Sequence, residues 1–148
     1  MMEMSVKIKK IREGAKIPVY GSEGAAACDV FACIEKDVVV KAGETVKITT
    51  GIAMALPEGT GMFVLPRSGL ATNQGLRPAN TPGLCDSDYR GEYIVSLHND
   101  SREDSIIHNG DRIAQLMLLP YYKALFKEVA ELDKTERGEG GFGSTGMK

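Results

Sequence analysis

The chain has 148 residues, and its 18 Lys or Arg against 20 Asp or Glu give a formal net charge of −2 at pH 7. A chain of this length forms one domain that buries about 68–70% of the surface exposed on unfolding, so it needs neither disulfides nor a structural metal. The balanced charge and the lack of a long basic run argue against binding to nucleic acid. No apolar run approaches the ~20 residues that cross a bilayer, and the N-terminus lacks the apolar middle of a signal peptide, so we expect a cytoplasmic protein without membrane contact.

Short strand patterns recur along the chain, and turn residues separate them. The strand patterns cover residues 6–11, 38–40, 45–50, 61–65 and 93–97. The turn signals lie at Gly21, Gly43, residues 57–61, Pro82-Gly83 and Asn109-Gly110. Because no amphipathic helices come between these strands, the pattern predicts an all-β, jelly-roll-like domain.

Two stretches do not fit this strand pattern. Residues 68–74 can form a short helical turn. Residues 121–132 place Tyr122, Leu125, Phe126 and Val129 on one helical face, although periodicity alone does not decide between helix and strand.

The composition changes after Arg137, where five glycines between positions 138 and 146 surround Phe142. Such a tail is either a disordered terminus or a segment that closes over a planar ligand, and composition leaves both possibilities open. The chain therefore divides into a β domain at residues 1–136 and a separate segment at 137–148.

The cysteines are three in number, lack Cys-x-x-Cys spacing and have small or apolar neighbours: Cys28, Cys33 and Cys85. We expect reduced, mostly buried thiols. His98 and His108 do not complete a usual zinc ligand pattern with them, so both histidines are expected to be structural or solvated.

Three segments carry residues that could bind or act on a ligand. Arg67, Ser68 and Gly69 follow a strand and suit a phosphate, although an ordinary strand-to-helix turn would look similar. In residues 83–95, Asp86 and Asp88 alternate along an extended chain and could share one side, with the Tyr89 ring on the other; one carboxylate could act as a general base, unless the segment is a solvated hairpin tip.

Two polar residues lie in apolar strand patterns and must find partners. Gln115 is either a structural amide or a donor to a ligand oxygen. An unpaired Asp29 would be costly, so a salt bridge or a cation is expected beside it.

Taken in order, the segments at 26–30, 66–71, 83–92, 110–116 and 137–146 resemble the five motifs of the trimeric deoxyuridine triphosphate nucleotidohydrolases (dUTPases). The resemblance implies a distorted β jelly roll and a homotrimer in which each active site draws on all three chains. It also implies that residues 121–132 are mainly strand and that residues 137–148 form a flexible lid.

The resemblance further implies a β-hairpin, from Gly83 to about Ile94, that encloses uracil. The residues it assigns to the base and sugar are Asn80, Gly83, Leu84, Cys85, Ile94 and, against the deoxyribose, Tyr89. Fixed main-chain N–H and C=O groups would read uracil and oppose cytosine.

For the chemistry, the resemblance implies that Asp86 activates the water that attacks the α-phosphorus of dUTP and so yields dUMP and pyrophosphate. The implied function limits uracil in DNA and supplies dUMP for dTMP synthesis. Asp29 would hold waters bound to Mg²⁺. The implied phosphate contacts are Arg67, Ser68, Gly69 and Gln115, and the implied lid contacts are Arg137, Phe142, Gly143, Ser144 and Thr145.

Some residues depart from the family pattern. Ala27-Cys28 stands where Gly-Tyr is usual, Cys85 replaces an aliphatic residue, and Arg77-Pro78 is less typical. A dCTP deaminase on the same fold and a nucleotide-sensing binding protein on this scaffold are the alternatives. Ammonia release from dCTP would support the first, and a partner whose affinity depends on dUTP would support the second.

Overall fold

The computed structural model describes residues 3–141, in which twelve strands and one short helix are formed. The elements are β1 (Lys7–Lys10), β2 (Val19–Tyr20), β3 (Cys28–Phe31), β4 (Val38–Val40), β5 (Thr45–Thr49), β6 (Ile52–Ala55), β7 (Thr60–Leu65), α1 (Ser68–Gln74), β8 (Leu76–Pro78), β9 (Gly83–Cys85), β10 (Ile94–Asn99), β11 (Ser105–Ile107) and β12 (Arg112–Pro120). The predicted all-β class and the predicted helical turn at 68–74 are confirmed. No helix of the described residues is long and apolar enough to cross a membrane.

All strand pairs are antiparallel, and they form four sheets within the described residues. The largest sheet has the strand order β2-β3-β12-β7-β9, and a second has the order β5-β10-β8. The two remaining sheets pair β1 with β6 and β4 with β11. The non-sequential neighbours in each sheet are typical of jelly rolls, in which the chain crosses repeatedly between layers.

The core lies between these sheets and consists of the inward-facing residues of each strand. β10 shows the alternation clearly, because Val95 and Leu97 are buried while Ile94 is exposed. Ile48, Ile52, Leu76, Ile113 and Leu116 are among the fully buried aliphatic residues. Burying each such side chain stabilises the fold by about 1.5–3 kcal/mol.

The short helix α1 ends at Gly75, which has a left-handed backbone with φ of 69°. A Cβ at this position would lie 2.8 Å from the backbone nitrogen of Ser101, so only glycine fits. The tight stop after α1 turns the chain at once into β8 and keeps the helix on the outer face, with Arg67 at its N-cap.

Residues 121–132 form neither the helix that their periodicity allows nor the strand that the resemblance implies. After β12 ends at Pro120, this segment makes no strand pairing within the described chain. Its apolar side chains are exposed: Tyr122 is 101%, Leu125 97%, Phe126 93% and Leu132 84% accessible. Neither the helix nor the implied strand is formed, and within residues 3–141 nothing covers these four side chains.

The expected hairpin from Gly83 to about Ile94 is also not a paired hairpin. β9 pairs with β7, whereas β10 pairs with β5 and β8. The intervening residues therefore connect the edge of one sheet to another sheet. Their shape is set by turns and side-chain contacts and not by a shared ladder.

Candidate active site

A buried carboxylate, Asp29, is the centre of a charged cluster at the junction of β3, β7 and β12. Asp29 is 6% exposed, and its Oδ1 accepts a hydrogen bond of 2.9 Å from Nε of Arg67. Gln115 is opposite Asp29 in the strand pairing and donates from Nε2 to the same oxygen at 3.4 Å. The predicted salt bridge to Asp29 is thus confirmed, and the amide of Gln115 is used within the cluster.

Arg112 also belongs to this cluster, although no role was predicted for it. Its Nε lies 3.5 Å from Oδ2 of Asp29. A register shift between Arg112 and Ala114 in β12 brings it to the carboxylate. No pattern in the sequence marks a bulge at this position, so the contact could not be predicted.

The cluster carries an excess of positive charge toward the outside. One carboxylate faces two guanidinium groups, and the side chains of Arg67 and Arg112 are 29% and 54% exposed. Both arginines line a cavity of about 380 Å³ with Gln74, Gly110 and Asp111. Guanidinium groups held beside a cavity are well suited to bind phosphate oxygens.

Ser68 and Gly69 form the exposed first turn of α1, directly after Arg67. Backbone N–H groups in the first turn of a helix have no intrahelical acceptor. A Cβ on Gly69 would meet no atom within 4 Å. Packing within the chain therefore does not require this glycine, and the space above it is open to a ligand.

A second cavity, of about 190 Å³, lies in the segment between β9 and β10. Its lining consists of Leu84, Cys85, Asp86, Tyr89, Glu92, Tyr93 and Ile94. The segment reverses direction after Asp86, because the backbone N–H of Tyr89 donates to the carbonyl of Asp86 at 3.2 Å. The extended alternation expected for this segment is therefore wrong, since Asp86 and Tyr89 face the same cavity.

Tyr89 has a defined ring position at the mouth of this cavity. Its hydroxyl donates a 3.0 Å hydrogen bond to the carbonyl of Glu92. A Cβ on Gly91 would lie 2.3 Å from the Tyr89 hydroxyl oxygen, so the ring packs directly on this glycine. The other face of the cavity is formed by the exposed side chains of Leu84 and Ile94.

Cys85 and Tyr93 lie beneath the cavity and are both neutral at pH 7. Burial raises the pKa of the Cys85 thiol and also that of the Tyr93 phenol. The Tyr93 hydroxyl is buried beside the Cys85 thiol and makes no well-formed hydrogen bond within the described residues. All three cysteines are free thiols, two of them buried, as predicted.

Gly83 and Asn80 precede the cavity and are packed closely. A Cβ on Gly83 would lie 3.2 Å from Cβ of Val64 and 3.4 Å from Nδ2 of Asn80. Glycine at position 83 thus lets β9 approach β7. It also lets the exposed Asn80 amide lie beside the start of β9.

Asp86 is exposed and lies where two cavities meet. Besides the small cavity, it lines a groove of about 740 Å³ with Asp88, Phe63, Leu119 and Lys123. Both carboxylates therefore face this groove, as expected for a shared side. An accessible carboxylate next to an apolar cavity can reach a water molecule beside a bound ligand.

Within residues 3–141 the two parts of the site are separate. The cavity beside Asp86 and the cavity beside Arg67 share no lining residue. Arg137 donates from Nε to the carbonyl of Gly140 at 2.8 Å, within its own segment. The predicted contacts of Phe142, Gly143, Ser144 and Thr145 lie outside the described residues.

Residues 3–141 contain no group of three or more His, Cys, Asp or Glu side chains that could hold a metal ion by themselves. Oδ1 of Asp29 accepts hydrogen bonds from Arg67 and Gln115, whereas Oδ2 lies 3.5 Å from Nε of Arg112 and keeps accepting capacity. This oxygen can accept a hydrogen bond from metal-bound water. Mg²⁺ commonly keeps several waters and takes its other ligands from phosphate. The residues present therefore fit a phosphate-held Mg²⁺ contacted through water.

Comparison with known proteins identifies the family. Residues 13–146 match the family dUTPase. The deoxyuridine 5'-triphosphate nucleotidohydrolase of Desulfotalea psychrophila is 50% identical over 91% of this chain and 90% of its own length. That of Syntrophotalea carbinolica is 46% identical over 99% and 100%, respectively. The solved structure of the Staphylococcus bacteriophage 80alpha dUTPase with dUPNHPP superposes with a TM-score of 0.82 at 26% identity, over 96% of this chain and 98% of that one. The chain belongs to the dUTPase family.

Proposed function

We propose that this chain hydrolyses dUTP to dUMP and pyrophosphate. The observation that carries the proposal is the accessible carboxylate of Asp86, which shares a small, partly apolar cavity with the Tyr89 ring in a chain of the dUTPase family. The reaction limits the uracil available for incorporation into DNA and supplies dUMP for dTMP synthesis.

In this proposal the segment from Gly83 to Ile94 binds the nucleoside. The cavity of about 190 Å³ has room for a pyrimidine, and its walls are the side chains of Leu84, Cys85 and Ile94. Main-chain groups of the same segment would pair with uracil and reject cytosine, whose donor and acceptor pattern is inverted. The Tyr89 ring would pack against the deoxyribose, where a ribose 2′-hydroxyl would collide with it.

Asp86 is the general base of the proposed reaction. Its carboxylate takes a proton from a water molecule while the water oxygen forms a bond to the α-phosphorus. The bond from the α-phosphorus to the bridging oxygen breaks, and pyrophosphate leaves with that electron pair. A positioned general base of this kind contributes ~10²–10⁴-fold in rate.

The phosphate chain is held by Arg67, Ser68, Gly69 and Gln115 in this proposal. Support comes from the open cavity beside Arg67 and from the exposed first turn of α1. Fixed donors aimed at phosphate oxygens stabilise the negative charge that develops as pyrophosphate leaves.

The proposed cofactor is Mg²⁺, and Asp29 would hold it through water, by accepting a hydrogen bond from a water bound to the ion. When bound, the ion neutralises charge on the triphosphate. The role of Asp29 is then to keep Arg67 and Gln115 in place and to present its second oxygen toward the phosphates.

The proposed assembly is a homotrimer. Two observations favour a multi-chain site. Within the described residues the nucleoside and phosphate cavities are separate, and residues 121–132 expose large apolar side chains that nothing in residues 3–141 covers. A neighbouring copy would cover residues 121–132. It would also bring its own cluster around Arg67, which binds the phosphates in this proposal, to the cavity beside Asp86. The number three rests on the family resemblance.

Residues 137–148 are proposed to be the lid over the site, and residues 1–136 the β domain that carries it. Arg137 and the Ser144-Thr145 pair would reach the γ-phosphate, while Phe142 and Gly143 would cover the base. We also place the enzyme in the cytoplasm, where its three free cysteines would stay reduced.

The test is pyrophosphate release from dUTP, dCTP, dTTP and UTP, each with Mg²⁺. We expect release from dUTP at a rate far above that from the other three. Ammonia release from dCTP without pyrophosphate would instead support a deaminase. Binding of dUTP without any hydrolysis would support a nucleotide-sensing role on the same scaffold.

A further inference from the structure

Arg12 and Glu92 form an ion pair. It connects the end of β1 to the segment from Gly83 to Ile94, which binds the nucleoside in the proposed function. Nε of Arg12 donates to Oε1 of Glu92 at 2.8 Å, and the terminal guanidinium nitrogen Nη2 donates to Oε2 at 2.9 Å. The two residues are far apart in sequence, and the carboxylate side chain is 12% exposed. Such a two-point contact fixes direction as well as distance.

A third donor completes the hold on Glu92. The backbone N–H of Gly51 donates to Oε1 at 2.9 Å, and the carbonyl of Gly51 accepts from the N–H of Ile11 at 2.8 Å. Gly51 has φ of 69°, and a Cβ there would lie 2.7 Å from Cβ of Ala15. The strain and the close contact exclude other residues, so this donor is built into the turn between β5 and β6.

The peptide unit that follows Glu92 is bonded on both sides. Its N–H, on Tyr93, donates to the carbonyl of Ile52 at 2.9 Å. Its C=O, on Glu92, accepts the hydroxyl of Tyr89 at 3.0 Å. The orientation of this single peptide plane therefore decides where the hydroxyl end of the Tyr89 ring lies.

We propose that Arg12 and Glu92 are positioning residues for sugar selection, because their ion pair fixes the peptide that anchors the Tyr89 ring. This inference rests on the proposed function, in which Tyr89 packs against the deoxyribose. Arg12 does not touch the nucleoside cavity; it acts only through Glu92. Loss of the pair frees the ring to move aside, so a ribose 2′-hydroxyl is admitted more easily.

The experiment compares kcat/KM for dUTP and UTP in the wild type, Arg12→Gln, Glu92→Gln and Tyr89→Phe. We expect each variant to lower the dUTP-to-UTP ratio by about three- to tenfold, as for the loss of one orienting hydrogen bond. Arg77→Gln is the matched control, because Arg77 makes a similar two-point contact with Asp100 away from the cavity. It should leave the ratio unchanged.

Combining Arg12→Gln with Tyr89→Phe tests whether Arg12 acts through Tyr89. The ratio in the double variant should be no lower than in Tyr89→Phe alone, because the anchoring bond is already lost. Additive losses, or an unchanged ratio in Arg12→Gln and Glu92→Gln, would overturn the inference. A wild type that releases no pyrophosphate from dUTP would overturn the proposed function instead.

A measurement without substrate keeps the two outcomes separate. NMR of protein with labelled tyrosine rings reports the surroundings of Tyr89, whose signal is identified by its loss in Tyr89→Phe. Arg12→Gln and Glu92→Gln should shift this signal, and Arg77→Gln should not. An unmoved Tyr89 signal would contradict the positioning role even if turnover changed.

Discussion

Nε of Arg67 lies 2.9 Å from Oδ1 of Asp29, and this pair joins the N-cap of α1 to the interior of the largest sheet. The carboxylate is buried, whereas the guanidinium remains partly accessible beside an open cavity. Asp29 thus holds Arg67 in one direction, Nη1 of Arg67 donates to the carbonyl of Arg112 at 3.5 Å, and the guanidinium lines the open cavity. A phosphate would meet a guanidinium that is already oriented and loses little freedom on binding.

Asp29→Asn should weaken both stability and substrate binding. The amide keeps a weaker acceptor for Arg67 but loses the charge, so we expect about 1–3 kcal/mol less stability and a raised KM for dUTP. Thermal unfolding and steady-state kinetics measure the two effects. Asp100→Asn, at an exposed ion pair with Arg77, is the control and should change both much less. Equal effects of the two substitutions would contradict a special role for Asp29.

Asp86→Asn should lower kcat by ~10²–10⁴-fold while dUTP still binds. The side chain is exposed, so the substitution should not disturb folding. Single-turnover pyrophosphate release and the binding of a non-hydrolysable analogue separate the two steps. Asp88→Asn, in the same groove, is expected to keep most of the activity. If Asp86→Asn lost dUTP binding but turned over each bound substrate at the wild-type rate, Asp86 would not be the general base.

The positions of β1, β4, β5, β7 and β10 and the helical turn at 68–74 could be predicted from the sequence, because period-two alternation and glycine punctuation depend on local physics. The short strands β2, β6, β8 and β11 were not predicted, because two to four residues are too few to show a pattern. The pairing of β9 with β7 could not be predicted. The resemblance implied a hairpin from Gly83 to about Ile94, but β9 pairs with β7, and long-range contacts from Glu92 to Arg12 and Gly51 hold the residues that follow.

In the candidate site, too, some contacts could be predicted from single residues, whereas others depend on the fold. Asp29 was expected to have a partner because a lone buried carboxylate is costly, and Arg67 supplies it. Arg112 reaches the same carboxylate only through a bulge in β12, which no residue pattern announces. At residues 121–132 the spacing of the apolar residues fits one face of a helix, yet the segment forms no helix. Sequence spacing alone does not show which surface covers these side chains.

Truncation after Glu136 should abolish most dUTP hydrolysis and leave the fold intact. The described residues from Arg137 to Gly141 contribute nothing to the core, and the Arg137 side chain donates to Gly140 within its own segment. We expect an unchanged thermal midpoint and oligomeric mass with strongly reduced kcat/KM. Full activity of the shortened chain would show that the lid proposal is wrong.

Leu125→Asp should weaken the assembly of copies. Leu125 is 97% exposed in the single chain, and burying such a side chain in a neighbouring copy is worth about 1.5–3 kcal/mol in each subunit. Light scattering at decreasing protein concentration should show smaller species for Leu125→Asp than for the wild type. Val39→Asp, at another exposed apolar position, is the control. A wild type that remains monomeric would contradict the trimer.

Glu92→Gln should remove part of the stability that the wild type gains with rising pH. The hydrogen bonds from Arg12, more than any other cause, hold the pKa of Glu92 below its usual range. A depressed pKa in the folded state stabilises the protein above the unfolded-state pKa, which is about 4.3, and this contribution is lost as pH falls through the folded value. The thermal midpoints of wild type and Glu92→Gln should therefore differ most near neutral pH and converge in acid. A constant difference from about pH 7 to pH 3 would show that the charge of Glu92 contributes nothing to the fold.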